Sequence, residues 1–124
     1  MPPCRLYPKP FQAPLPVHVG GESDAAMRRA ARLGQGWFTF NRLPDELPGA
    51  LEQMDGHLAA AGRKRGPDFQ LTVSPYFNAV TPDQVKAYAA AGVDRLVVVC
   101  LAFTADDLLP SLDRLVAEVL EPAR

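Results

Sequence analysis

Residues 16–38 combine residue types at a spacing that could bind a phosphate group. A short apolar run is followed by Gly20-Gly21-Glu22-Ser23 and then by an alanine-rich helical pattern. Glycine lets the backbone approach a ligand closely, and the first N–H groups of a helix are unpaired at the positive end of its dipole. Gly20, Gly21, Glu22 and Ser23 are therefore candidates for contact with a phosphate, chiefly through backbone N–H groups.

A simpler interpretation of the same residues is a glycine turn in which Ser23 only caps the following helix. A Gly-Gly pair is a weak motif by itself. The phosphate interpretation also places a condition on Glu22. Its carboxylate must point away from the ligand, because two negative charges at short range repel each other.

Five other residues are candidates for contact with a cofactor or substrate. His18 alternates with two valines and points into the interior if the valines face the helices; a hydrogen-bonded core histidine is the alternative. Trp37 either lines a cofactor pocket or packs between strand and helix. Ser74, Tyr76 and Asn78 lie at the C-terminal end of a predicted strand, where barrel enzymes place their sites, and are candidate substrate contacts.

The remaining chemistry in the sequence is sparse. No Ser-His-Asp order, paired-carboxylate motif or P-loop identifies a catalytic residue. Cys4 and Cys100 lack the spacing of metal ligands, so we predict no metal site. The 124 residues carry a net charge of −1 with acids and bases mixed, which favours neither nucleic acid nor an anionic membrane as a partner.

The N-terminus lacks the uninterrupted apolar stretch of a signal peptide. Apolar runs also fall short of the roughly 18 residues that a transmembrane helix needs. We therefore expect a cytoplasmic protein.

Four strand–helix units must position the candidate residues. Residues 1–16 contain six prolines and are predicted to be an extended lead-in, because proline fixes φ and lacks a donor N–H. Residues 17–124 are predicted to form a single domain. The predicted strands are 17–19, 37–40, 69–74 and 95–101. The predicted helices are 24–33, 44–61, one from the cap Thr81 to Gly92, and one that follows the cap Thr104.

Strict alternation of strands and helices predicts an α/β fold with a parallel sheet and right-handed crossovers. The fourth strand is apolar on both faces, as expected of a parallel strand that is covered on both sides. The third helix presents Val85 and Ala89. The last helix carries an apolar stripe at helical spacing, formed by Leu108, Leu112, Leu115, Val116 and Val119.

Several motifs, taken in order, resemble the second half of the bacterial luciferase-like monooxygenase family. They are a proline-rich lead-in, a short strand, a glycine pair, a helix with paired alanines and a Gly-Trp pair. The matching positions are Pro10, Pro14, Pro16, Gly20, Gly21, Ala30, Ala31, Gly36 and Trp37. Residues 87–99, AYAAAGVDRLVVV, resemble the late helix and final barrel strand of that family. Gln35 stands where the family usually has an acid before Gly-Trp.

This resemblance implies a (β/α)8 barrel, of which the four units would be strands five to eight with their helices. It also implies F420 or FMN as cofactor, without distinguishing them, and a loop at residues 20–23 against the cofactor phosphate. The expected function is the C-terminal half of a flavin- or F420-dependent oxidoreductase or monooxygenase. The alternative is a non-enzymatic half-barrel for oligomerisation, or a module that binds a phosphorylated metabolite, with a vestigial site.

A half-barrel has two unpaired strand edges, and exposed edges of this kind pair with other strands. We therefore expect a homodimer or a partner half-barrel that closes the sheet, with a flat four-stranded layer as a third option. By the same resemblance, the missing front half would supply several flavin-ring contacts and most candidate catalytic side chains.

Overall fold

The computed structural model describes residues 8–76 and 78–123. Four strands alternate with helices. The strands are β1 (His18–Gly20), β2 (Gly36–Phe40), β3 (Gln70–Tyr76) and β4 (Arg95–Val98). The helices are α1 (Asp24–Leu33), α2 (Leu47–Ala60, after a 3-10 turn at Pro44–Glu46), α3 (Pro82–Ala90) and α4 (Ala105–Leu115). A π-helical turn at Val116–Leu120 and a short α5 (Glu121–Ala123) continue α4.

The part of the predicted lead-in that the structure describes contains neither helix nor strand. Residues 1–7 of that lead-in lie outside the described residues. The extent of α1 is the predicted one.

The sheet is parallel throughout, with strand order β1-β2-β3-β4, which confirms the predicted α/β fold. Right-handed crossovers between neighbouring parallel strands put every connecting helix on the same side of the sheet. The register then sorts the strand residues into two faces. The core face, toward the helices, comprises Val19, Trp37, Thr39, Leu71, Val73 and Leu96. The open face comprises His18, Gly20, Gly36, Phe38, Phe40, Gln70, Thr72, Ser74, Arg95 and Val97.

The hydrophobic core lies between the core face and the first three helices. Ala30 and Ala31 of α1 are fully buried, and their small side chains allow α1 to approach both β2 and α2 closely. The larger buried side chains are Met27, Trp37, Leu47, Leu51, Met54, Leu58, Phe69, Leu71, Val73 and Tyr88.

The caps of α1 and α3 lie at the residues that the sequence predicts. The Ser23 hydroxyl accepts the N–H of Ala26 at 3.2 Å and begins α1. Thr81 and Gln84 form a reciprocal capping box at α3, with bonds of 3.3 Å and 3.0 Å. These polar bonds set the starting points of helices whose packing is decided by apolar residues.

The fourth strand departs from expectation. It ends at Val98 rather than residue 101, and Val97 on the open face is 38% exposed. The prediction of a strand covered on both sides is therefore wrong for these residues. The physical reason is that the helices of the described chain cover one face of the sheet only.

The last two helices also pack differently from the prediction. In α3 the buried residue is Tyr88, whereas Val85 is half-buried and Ala89 is exposed. The predicted stripe of α4 is not buried: Leu108 is 44% exposed, and Leu112 and Val116 are similarly open. Contacts of the chain end with α3 are made by the π-helical turn and α5. An amphipathic pattern predicts a helix, but it does not supply the surface on which that helix packs.

Replacing one buried and one exposed helical leucine by alanine tests this account of the packing. Leu58→Ala in α2 removes a side chain with no solvent exposure and is expected to lower the free energy of unfolding by about 2–5 kcal/mol. Leu109→Ala in α4 removes one that is 69% exposed and is expected to change it by less than about 0.5 kcal/mol. Urea denaturation followed by circular dichroism measures both. Equal losses would show that α4 is packed as tightly as α2.

Candidate functional site

The carboxyl ends of the parallel strands meet at one edge of the sheet, where the candidate site lies. The loop at residues 20–23, defined here as the glycine loop, connects β1 to α1 at this edge. Asn41 and Arg42 follow β2 directly, and Tyr76 ends β3. Brought together in this way, the loops after neighbouring strands can contact one ligand.

The glycine loop is held in a conformation that requires glycine. Gly21 has a φ of +119°, and a Cβ there would lie 3.0 Å from the Cβ of Ala26. Its N–H donates to the carbonyl of Phe38 at 3.4 Å, and its own carbonyl accepts the indole N–H of Trp37 at 2.9 Å. The loop is thus tied to β2 from both sides of Gly21.

The N-terminus of α1 presents unpaired donors beside this loop. Ser23 satisfies the N–H of Ala26, whereas helix geometry leaves the N–H groups of Asp24 and Ala25 without an intrahelical partner. The Asp24 carboxylate is held by neighbouring side chains. Its partners are Arg28 Nη1 at 2.5 Å and Gln53 Nε2 at 3.2 Å, and His57 Nε2 lies 2.8 Å from its Oδ1 without a hydrogen bond between them.

The carboxylate of Glu22 is directed to the end of β2. Its Oε1 accepts the Thr39 hydroxyl at 2.6 Å and the Phe40 N–H at 3.1 Å, and its Oε2 accepts Arg42 Nε at 2.7 Å. The charge of the guanidinium offsets that of the carboxylate. The bonds of Gly21 with Phe38 and Trp37 are two connections between the glycine loop and β2, and the Glu22 bonds are the third.

The predicted substrate residues lie together at the end of β3, next to Asn41. The Ser74 carbonyl accepts the Asn41 N–H at 2.8 Å, and the Ser74 hydroxyl accepts the Tyr76 N–H at 3.3 Å. Asn78 Nδ2 donates to Asn41 Oδ1 at 3.2 Å and to the Pro75 carbonyl. Asn41 and Tyr76 both have positive φ, +57° and +59°. Strained backbone of this kind is concentrated at functional sites in proteins.

A cleft of about 240 Å³ lies at this edge, lined by Glu22, Phe40, Asn41, Arg42 and Glu46. The rings of Phe40 and Tyr76 lie beside it with centroids 6.4 Å apart. The lining of the cleft is therefore mostly polar, with Phe40 as its aromatic member.

Tyr88 supports the cleft from the core. Its hydroxyl donates to the Arg42 carbonyl at 2.7 Å. Burial raises the pKa of Tyr88, and the nearby carboxylates Glu46 and Asp45 raise it further. The neutral phenol is the form that donates this bond, so the raised pKa extends the contact to pH values above the range in which tyrosine ordinarily ionises.

Trp37 and His18, the other two predicted cofactor contacts, lie outside the glycine loop. Trp37 has no solvent exposure, and it packs in the core while its indole N–H reaches the glycine loop. His18 lies on the open face at the amino end of β1, beside Gly36. It lines a second cleft of about 240 Å³ with Pro16, Gln35, Pro67, Asp68 and Gln70. The structure thus brings Trp37 to the glycine loop and places His18 at the opposite edge of the sheet.

Sequence reasoning missed Thr39, Asn41 and Arg42. The signal for two of them was present, because Asn41 and Arg42 follow a predicted strand just as Tyr76 and Asn78 do. The bond from Thr39 to Glu22 joins residues 17 positions apart and had no local signal.

No group of three or more His, Cys, Asp and Glu in ranges 8–76 and 78–123 is arranged to hold a metal ion. Within the same ranges, every helix is too short or too polar to cross a membrane.

Four consecutive βα units, with a glycine loop entering a capped helix at the carboxyl edge, define an α/β protein built as half of a (β/α)8 barrel. A model of the luciferase-like monooxygenase family matches residues 2–111. The chain belongs to this family. The family is one of oxidoreductases of the monooxygenase type, which generally use a flavin or F420 as cofactor.

Relatives are found among mycobacterial proteins. An uncharacterized protein of Mycobacterium tuberculosis and one of Mycobacterium bovis are each 37% identical to this chain over 98 residues. The match covers 79% of this chain and 32% of each relative. The chain therefore spans about a third of the length of these relatives.

Gln35, at the position where the resemblance predicts an acid, has a defined role in the fold. Its side-chain oxygen accepts the Val17 N–H at 2.9 Å, and its own N–H donates to the Val17 carbonyl at 2.8 Å. The amide oxygen of Gln35 is thus a hydrogen-bond acceptor at this position. The two bonds join the residues that precede β1 and β2.

A double-mutant cycle on Glu22 and Arg42 tests the third connection of the glycine loop. Both side chains are about 30% exposed or less, so a coupling energy of about 0.5–2 kcal/mol is expected between Glu22→Gln and Arg42→Ala. The control is the Asp24–Arg28 pair, which is more exposed and should couple by about 0.3–0.5 kcal/mol. Urea denaturation gives both values. A Glu22–Arg42 coupling no larger than the control would contradict a tie between loop and strand.

Alkaline pH tests the contact of Tyr88 with Arg42. A pKa raised in the folded state means that the native protein holds the phenolic proton more tightly than the unfolded chain does. The resulting stability is fully present below about pH 10 and is lost as the pH rises beyond it. We expect the free energy of unfolding to fall above pH 10 in the wild type and to fall less in Tyr88→Phe. Parallel pH dependences in the two proteins would refute this.

Proposed function

We propose that this chain supplies the phosphate-binding part of a flavin- or F420-dependent oxidoreductase or monooxygenase. The observation that carries the proposal is the glycine loop. It is fixed at Gly21 by a positive φ and by the Trp37 bond, and it leads into the capped N-terminus of α1. Backbone N–H groups in this position suit the terminal phosphate of FMN or the phosphodiester of F420.

Charge at the loop is compatible with an anion. Two acids, Glu22 and Asp24, flank Ser23 and would repel a phosphate if they were unpaired. Glu22 is bonded to Arg42, and Asp24 to Arg28. The unpaired helix N–H groups, rather than the carboxylates, are then the groups offered to a ligand.

The proposed roles of the other candidates follow from their places. Trp37 positions the glycine loop through the Gly21 carbonyl. Ser74, Tyr76 and Asn78 form the wall toward the substrate, while His18 belongs to the interior face away from the phosphate. A bound flavin or deazaflavin would supply the hydride or oxygen chemistry, and this chain supplies position and electrostatics.

Completion of the sheet is part of the proposal. β1 and β4 are the outer strands, and the chain spans about a third of its mycobacterial relatives. We propose that a second copy or a partner half-barrel pairs with these edges, because unpaired strand edges attract further strands. The chain by itself is then expected to bind cofactor weakly.

The exposed apolar residues of α4 favour a second candidate function, in which the chain is a non-enzymatic assembly module. Leu108, Leu109 and Leu112 are open on one helix, as protein–protein contact surfaces are. A module that binds a phosphorylated metabolite is a variant of this candidate, since it would use the same glycine loop without flavin chemistry.

Titration with FMN and with F420 tests the cofactor proposal. Ser23→Ala is expected to weaken binding about tenfold, equivalent to about 1.4 kcal/mol, and to lower stability by about 1 kcal/mol through loss of the cap. Thr81→Ala is the matched control, because it removes the equivalent side-chain cap from α3, a helix that the glycine loop does not enter. It should lower stability similarly and leave binding unchanged. Calorimetry measures binding, and urea denaturation measures stability.

Three results of the titration would redirect the proposal. Equal affinity in Ser23→Ala and the wild type would remove Ser23 from the site. Failure of the folded wild type to bind either cofactor would favour the assembly module. Binding of simple phosphate esters without preference for flavins would favour the metabolite-binding module.

A further inference from the structure

The helix α4 has an apolar surface that the described chain leaves uncovered. Leu109, Leu112 and Val116 recur at helical spacing on this surface, and Leu109 is the most exposed of them at 69%. Asp106 and Asp113 border it, because each lies three or four positions from Leu109 along the helix. Neither carboxylate makes a hydrogen bond or ion pair with a residue in the ranges 8–76 and 78–123. These five residues are defined here as the acidic edge.

The helix α1 has a free side of the opposite charge. Ala25, Arg29 and Leu33 recur every four residues and therefore share one side of α1. The helix α2 packs on the other side, where Asp24 accepts a bond from Gln53. Leu33 is 65% exposed, and the Arg29 side chain makes no hydrogen bond or ion pair within the described part of the chain. Ala25, Arg29 and Leu33 are defined here as the basic edge.

A hollow of about 290 Å³ lies at the basic edge. Arg28 and Arg32 line it together with the three residues of that edge, so its lining combines guanidinium groups with apolar carbons. The two helical segments as a whole are also opposite in charge. Residues 24–33 contain three bases and one acid, whereas residues 105–123 contain five acids and one base. The two edges are thus complementary in charge, and each carries exposed apolar side chains beside its charged ones.

The two edges lie too far apart in one chain to meet. β1 and β4 are the outer strands at opposite ends of the sheet, so α1 and α4, which follow them, lie at opposite ends of the row of helices. In a sheet closed by two copies, β4 of one copy would pair with β1 of the other. The acidic edge of the first copy would then face the basic edge of the second, and the two-fold axis would repeat the contact.

We infer that the acidic edge of one copy of this chain binds the basic edge of a second copy, with Asp106 and Asp113 opposite Arg29. Charge complementarity identifies the occupant as a second copy, because this chain carries both halves of the contact. The inference rests on the proposed closure of the sheet. It adds which helices meet and which side chains select the partner.

Charge reversal at each edge tests this pairing, with the dissociation constant of the dimer measured by sedimentation equilibrium. Arg29→Glu, and separately Asp106→Lys with Asp113→Lys, are each expected to raise the Kd by at least about tenfold, because like charges then meet at both symmetry-related contacts. The variant with all three substitutions has opposite charges across the contact again. Its Kd should return to within about threefold of the wild-type value.

Lys86→Glu on α3 is the matched control. It makes the same charge change as Arg29→Glu at an exposed residue, but on a helix that follows an inner strand. It should leave the Kd unchanged. Added salt should weaken the wild-type dimer, because the contact is partly ionic. Circular dichroism checks that each variant is folded.

The outcomes separate this inference from the proposals on which it rests. A wild-type dimer that neither reversal weakens would overturn the pairing of α1 with α4 and leave the closure of the sheet intact. Weakening that the triple variant does not reverse would also overturn the direct pairing. A wild type that stays monomeric at every concentration would overturn both the pairing and closure by a second copy. Titration of the same samples with FMN judges the cofactor proposal independently.

Discussion

Packing of the helices on a single face of a parallel sheet is the constraint from which the rest of this structure follows. Right-handed connections between neighbouring strands leave no choice of side. One set of strand residues is therefore buried under α1, α2 and α3, and the alternate set is left on the open face. The core and the exposure of Val97 both result from this division.

The glycine loop gains its shape from the same core. Trp37 is buried by apolar packing, yet its indole N–H extends to the Gly21 carbonyl. Glu22 and Arg42 add a polar tie between the loop and the end of β2. The loop is thus fastened to a packed element, and in the proposed phosphate site this fixed backbone would lower the entropic cost of binding.

Local chemistry made much of the fold predictable. The caps Ser23 and Thr81 and the extent of α1 were correctly placed, because hydrogen bonds within a few residues decide them. The order of strands and helices followed from hydrophobic periodicity together with cap, proline and glycine signals. By contrast, Leu108 and its neighbours were correctly assigned to a helix, but whether they are buried depends on a surface that lies far away in sequence or on another chain.

The candidate site shows the same division. Glycine content and the helix start identified the loop at residues 20–23, and strand ends identified Ser74, Tyr76 and Asn78. The bond from Thr39 to Glu22 and the contact between Asn41 and Asn78 could not be predicted, since they join residues 17 and 37 positions apart.

By itself, the sequence determined the elements, their parallel order and the family, because these depend on local spacing of residue types. Only the tertiary structure decided which face is covered and where Glu22 directs its charge. Those features depend on the register between strands, and register is set when distant segments pack together.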